Sequence, residues 1–183
     1  MLNNFNYYTP TKIIFGDNTV CELGKLASSF GAKKILIHYG SERVRKSGLL
    51  DECIKSLEKA GILYVVLGGV IPNPRIELVR TGVEIAKKEN VDMIIAVGGG
   101  SVIDSAKAIA YGAKYDGDVW DFYSKKAVAT EALPIGVILT MAATGSEMSD
   151  SSVISNDESM EKRGYNSDLC RPKFSILDPA LTV

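Results

Sequence analysis

The chain has 183 residues, 46% of them apolar and 23% charged, with a net charge of −1. That is enough for one globular domain with a real core, and the near-neutral balance gives no support for a nucleic acid or an acidic membrane surface as partner. No apolar run approaches the roughly 20 residues of a membrane span, and MLNNFNYYTPTK lacks the basic and apolar segments of a secretory signal.

NYYT and KIIF are two short strand-like runs separated by a proline. FGDNT then forms a turn, with Asp17 or Asn18 available to cap a helix. Val20, Leu23, Ala27 and Phe30 fall at helical spacing, closed by Gly31. KKILIHYG is a buried strand. Leu50, Cys53, Ile54 and Leu57 mark a second helix ending at Ala60-Gly61, and LYVVLGG is the next strand. In IPNPRIEL, Asn73 can cap and Pro74 suits a first turn; Ile76, Val79, Val83 and Ala86 then share one face of a third helix. VDMIIAV has the nearly continuous apolar character of a parallel strand covered on both faces. Ser101 opens a fourth helix, with Val102, Ala106, Ile109 and Ala110 as its buried face.

Strand and helix alternate at about 30 residues per unit, the pattern of a parallel α/β sheet with helices on both faces. Right-handed crossovers place the carboxyl ends of the strands on one edge, where ligands of open sheets bind. HYGS, LGGV, VGGGS and LTMAATGSE all follow strands, so these loops belong at that edge. DGDVWDFY reads as a loop or short helix and LPIGVILT as another buried strand. Residues 141–183 read as an irregular excursion, with short strands SSVIS and KFSILD packed at the sheet's edge.

The richest stretch is VGGGSVIDSAK, residues 97–107. Glycines between a strand and a helix let a ligand approach the backbone and expose amide N–H groups to phosphate. Gly98, Gly99 and Gly100, with the Ser101 hydroxyl, suit a pyrophosphate, although a glycine triplet also serves a tight turn and is not the GxGxxG fingerprint. Asp104 and Lys107 are one turn apart; spacing alone favours a solvated surface pair. Position raises another role for Asp104, orienting neighbouring polar groups beside a bound phosphate. Thr140, Thr144 and Ser146 are candidate donors to phosphate or ribose. The sole histidine, His38, reads as structural, and a transition-metal site usually wants more than one imidazole. Cys21, Cys53 and Cys170 form no CxxC and read as reduced thiols of a cytoplasmic protein.

GGGSVIDSAK, preceded by VIPNPR and followed by LTMAATGSE and ILDPALT, resembles the iron-containing alcohol dehydrogenase family, and HYGSERVRKSG with GGVIPNP resembles its NADPH-dependent butanol dehydrogenase and aldehyde reductase branch. The resemblance implies a Rossmann-like, dehydroquinate synthase-like N-terminal domain spanning residues 1–183. The family's C-terminal all-helical metal-binding domain is expected to lie outside this chain. It implies that Gly98, Gly99 and Ser101 hold the pyrophosphate and that Asp104 lies near the nicotinamide. Asn73, Thr140 and Thr144 match cofactor-contacting positions, and Lys162 and Leu177 match positions around the nicotinamide and ribose. The family's metal ligands, one aspartate and three histidines, are expected beyond LDPALT, so no metal ligand and no catalytic residue is assigned here; Fe²⁺ or Zn²⁺ is expected only in a full-length enzyme.

NAD-preferring relatives carry an aspartate after the first sheet strand to accept from the ribose 2′-OH. Here that place reads His38-Tyr39-Gly40-Ser41. Gly40 and Ser41 leave room for a 2′-phosphate, with Arg43, Arg45 and Lys46 nearby, so NADP(H) is expected over NAD(H). The expected reaction is hydride transfer with a primary alcohol or aldehyde such as butanol or butyraldehyde, in a homodimer joined through the N-terminal strands. Alternatives are the nucleotide domain of a glycerol dehydrogenase- or dehydroquinate synthase-like relative, or a non-catalytic nucleotide-binding or assembly module.

Overall fold

A computed structural model describes Asn4 and residues 8–182. Strand β1 is Lys12–Phe15. Tyr8 and Thr9 of NYYT are irregular instead of a strand, and Asn6 and Tyr7 fall outside the described residues. Asn18 does not cap with its side chain; it takes a left-handed backbone, φ 59°, before a 3-10 turn at Thr19–Glu22. The Thr19 N–H donates instead to the carboxylate of Asp178 at 3.2 Å, far along the chain. Helix α1, Leu23–Ser29, buries Leu23, Leu26 and Ala27 and stops before Gly31 at φ 80°. Strand β2 is Lys34–Tyr39. Two helices follow where one is expected, α2 at Arg43–Lys46 and α3 at Leu49–Lys59, and β3 is Leu63–Leu67.

Helix α4 is Ile76–Lys88, with Arg75 at its N-cap. Asn73 is therefore not the cap: it sits at φ 56° in the turn before it, and its side chain turns to Lys162. Strand β4, Met93–Gly98, is buried at every residue. Helix α5, Gly100–Gly112, begins one residue before Ser101. A short helix α6, Trp120–Tyr123, and strand β5, Ile135–Leu139, complete the alternating part.

The stretch from residue 141 onward departs from expectation. Strands β6, Ser151–Asn156, and β7, Glu161–Asn166, form an antiparallel hairpin separate from the main sheet. Strand β8, Phe174–Leu177, is not at the edge: the six parallel strands run β1-β8-β5-β4-β2-β3. The physical reason is burial on both faces. Phe174, Ser175 and Ile176 are fully covered, and the Ser175 hydroxyl is satisfied by the Glu147 carbonyl at 2.7 Å.

Alternating strand residues divide the core. Leu36, Ile94, Ala96 and Val137 pack under α4, α5 and α6. Ile35, Ile37, Ile95 and Phe174 pack under α1, α2 and α3 on the other face. The result is a Rossmann-like α/β fold. The connection from β3 returns past β2 to β4, so the strand order reverses there and the carboxyl ends of β2 and β4 flank a crevice. Among the described residues no helix is long and apolar enough to cross a membrane.

His38 is fully buried in β2 and structural. Its Nδ1 lies 2.9 Å from the Leu67 carbonyl, an acceptor, so Nδ1 carries the proton; Nε2 then accepts from the Ser105 hydroxyl at 2.8 Å. Burial lowers the pKa of His38 to about 4, against a weaker raising effect of the Leu67 hydrogen bond. The unfolded chain, with His near 6.5, binds more protons, so this contribution to stability is full above that pH and is lost as pH falls to about 4. Urea denaturation across that window is expected to show a steeper loss for the wild type than for His38→Gln; equal slopes would remove His38 as the cause.

Candidate nucleotide site at the carboxyl edge

The glycine run stands where β4 becomes α5, with Gly99 at the N-cap. The first N–H groups of any helix lack intrahelical acceptors and carry its positive dipole end. Two cavities open on either side of this point. One, of about 340 Å³, is walled by the loops after β2, β4 and β5, including Gly40, Ser41, Gly98, Gly99 and Thr140, and closed by Ala180 and Leu181. The other, of about 330 Å³, takes Asn73, Gly100, Ser101, Asp104, Thr144 and Lys162 in its wall. Ten of the eleven expected positions therefore line these two cavities. Leu177 lines neither; it is half-buried at the carboxyl end of β8, where its carbonyl accepts from Gly16 N–H at 3.3 Å.

The backbone here leaves no space for side chains. A Cβ on Gly100 would stand 2.5 Å from Thr144 Oγ1, and one on Gly99 would stand 3.1 Å from Met141 Cβ. Loops after β4 and β5 thus close to contact distance around the helix start, forming a cradle of backbone amides and hydroxyls. That donor set fits the pyrophosphate of a dinucleotide.

The second cavity is roofed by the hairpin. Ser155 N–H donates to the Pro74 carbonyl at 2.9 Å, Arg75 pairs with Asp157 at 3.0 Å, and Lys162 Nζ donates to Asn73 Oδ1 at 2.8 Å. Lys162 and Asn73, 89 positions apart, are joined across the cavity wall.

Asp104 and Lys107 are not a surface pair. Lys107 is fully buried, and its partners are serine oxygens of the following loop. Asp104 turns instead to the same loop and to the hairpin: Oδ1 accepts from the Ser146 hydroxyl at 2.6 Å and Oδ2 from Val153 N–H at 3.0 Å. Burial raises its pKa, opposed by these two hydrogen bonds and by the charges of Lys107 and Lys162. The Ser146 hydroxyl is consequently engaged inside the wall. Sequence reading missed the hairpin roof, Ser149, Ser151 and the Val153 amide; the serine density of GSEMSDSS was the available signal.

The chain matches the family described as iron-containing alcohol dehydrogenase over residues 10–179. It belongs to the iron-containing alcohol dehydrogenase family. Among curated proteins, it is 52% identical over 181 residues to the Bacillus subtilis protein named "Probable NADH-dependent butanol dehydrogenase 1", covering 99% of this chain and 46% of that one. It is 35% identical to the NADPH-dependent aldehyde reductase YqhD of Escherichia coli, covering 99% of this chain and 46% of that one. The crystal structure of NADH-dependent butanol dehydrogenase A from Thermotoga maritima superposes with a TM-score of 0.95 at 46% identity, covering 97% of this chain and 45% of that one. The chain thus spans about half the length of the curated relatives it matches. Among its described residues no group of three or more His, Cys, Asp or Glu side chains could hold a metal ion. The metal in the family's name has no fitting ligand set in these residues.

Proposed function

We propose that this chain is the nicotinamide-nucleotide-binding half of an alcohol dehydrogenase that interconverts a primary alcohol and its aldehyde, butanol and butyraldehyde being examples. The observation that carries the reading is the meeting of the Gly98–Ser101 helix start, the Gly40–Ser41 turn and the Asn73–Lys162 bridge at one sheet edge. A bound nicotinamide would supply the hydride acceptor or donor. The chain's own groups bind and orient. Backbone amides of Gly98 to Ser101 hold the pyrophosphate, while Thr140 and Thr144 donate to phosphate or ribose. Asp104 and Lys162 flank the nicotinamide end, with Leu177 behind the loop that bears Ala180 and Leu181. With no metal ligands here, the isolated chain binds nucleotide without turning over alcohol.

We further propose NADP(H) as the preferred cofactor. The cavity beside Gly40 and Ser41 is lined by Arg43 and Ser47, with no carboxylate among its wall residues to accept from a ribose 2′-OH. A 2′-phosphate would meet the Arg43 guanidinium and the Ser41 hydroxyl, charge-assisted contacts that a 2′-OH cannot match. The relatives divide, butanol dehydrogenases being named for NADH and YqhD for NADPH. A cytoplasmic setting is supported by three unpaired cysteines, and a homodimer through β1 by the exposed Phe15 on that outermost strand.

The test is a titration of the chain with NADPH and NADH, read by nicotinamide fluorescence and Trp120 quenching. Tighter NADPH binding is expected, with the difference reduced about tenfold in Arg43→Ala, as for loss of one hydrogen-bonded charge. Equal affinities would remove the NADP(H) preference, and absence of binding would remove the nucleotide reading.

A further inference from the structure

Lys107 lies on α5 with its entire side chain out of water. Nζ donates to Ser146 O and Oγ at 2.8 and 3.0 Å, to Ser149 O and Oγ at 2.9 and 3.1 Å, and to Ser151 O at 2.9 Å. An ammonium has three hydrogens and no acceptor, so the three are shared among five oxygens in the manner of a cation in an oxygen cage. Ser146 Oγ is forced to accept from Lys107, which leaves its own hydrogen for Asp104 Oδ1 at 2.6 Å. Burial lowers the Lys107 pKa, while the charges of Asp104 and Asp150 support its ionised form. The same three serines also face the cavity beside Asp104.

The geometry points to Lys107 as a positioning residue of the nucleotide site. Its ammonium acts as an internal cation that folds the Ser146–Ser151 segment around itself and, through the Ser146 hydroxyl, holds Asp104 as a pure acceptor for an O–H or N–H donor of the ligand. The second part rests on the nucleotide reading; the cage does not. Removing the ammonium takes the donor away from Ser146 O, Ser146 Oγ and Ser149 O, while Ser149 Oγ and Ser151 O keep their long 3.4 Å contacts with the Ser151 N–H and the Ser149 hydroxyl. Because the serines also line the cavity, a small amine from solvent has a short route to the vacated position.

The experiment uses Lys107→Ala and Ser146→Ala in the whole chain. Two readouts are taken, amide hydrogen exchange of residues 144–153 and NADPH affinity, each in methylammonium chloride and in tetramethylammonium chloride. In Lys107→Ala, loop protection and affinity are each expected to fall about tenfold or more, as for loss of a charged hydrogen-bond donor. Both should recover in methylammonium but not in tetramethylammonium, which has the same charge and no N–H. Ser146→Ala keeps four of the five cage oxygens, the Ser146 carbonyl among them, and loses the link to Asp104. It should keep loop protection while NADPH affinity falls about tenfold, a split that a merely structural role would not produce. Wild-type protection in Lys107→Ala, or equal recovery in both salts, would overturn the cage. Wild-type affinity in Ser146→Ala would overturn the link to Asp104, and this variant decides that part even if Lys107→Ala fails to fold in either salt. If the wild type binds no nucleotide, the nucleotide reading fails and loop protection still decides the cage.

Discussion

Phe174→Ala is expected to lower the unfolding free energy by about 3–5 kcal/mol, the range for truncating a buried aromatic ring. The ring is fully buried and stacks on Phe30 with centroids 5.8 Å apart. Beneath it lies Gly136 of β5, where a Cβ would stand only 2.4 Å from the ring edge. Glycine has no side chain to swing into the void, so the cavity stays open and its lining loses its contacts. The strand that bears the ring also joins β1 to the rest of the sheet, which spreads the damage to both neighbours. Urea denaturation gives the number. A loss below about 1 kcal/mol, the size of an ordinary mutation, would mean that β8 packs as a sheet edge after all.

Gly100→Val is expected to weaken nucleotide binding by about tenfold to a hundredfold while costing less stability than Phe174→Ala, since overpacking costs about 1–3 kcal/mol. The Cβ alone would stand 2.5 Å from Thr144 Oγ1 and 2.8 Å from its methyl group. Two outcomes are open to the chain, and both injure the site. Either the Thr144 loop retreats and takes its hydroxyl from the cavity, or the helix start shifts and its amides lose their aim. A Kd for NADPH from fluorescence titration, set beside the denaturation midpoint, separates a binding defect from unfolding. Unchanged affinity would show that the helix start does not carry the phosphate.

Much of this was legible because it is local. MIIAV and ILIHY announce buried parallel strands by continuous apolar character, and every residue of β4 is indeed covered. The glycine-bearing loops fall at one edge because parallel strands with helical crossovers leave no other place for them. What was not legible depends on partners far along the chain. KFSIL reads the same whether it lies inside a sheet or at its margin; only pairing with both β5 and β1 decides. EKRGYN looks like a charged loop, yet half of it is a strand face, with Tyr165 edge-on to Tyr111 at 5.2 Å. Spacing put Asp104 and Lys107 together, but the acceptors that bury Lys107 arrive 39 to 44 residues later. Asn73 has the composition of a helix cap, and the Lys162 ammonium claims its side chain instead.

The position of β1 has a consequence for how the molecule comes into being. Among the described residues β1 hydrogen-bonds only to β8, and the Thr19 N–H reaches its acceptor 159 positions on. β1 is synthesised before β8, and its ladder groups stay open to water or to the wrong neighbour until Phe174–Leu177 has been made. Closing so long a loop is slow, since the entropy is lost before any contact returns it. Up to that moment an exposed, unpaired edge is the feature a chaperone, or another nascent copy, would find first.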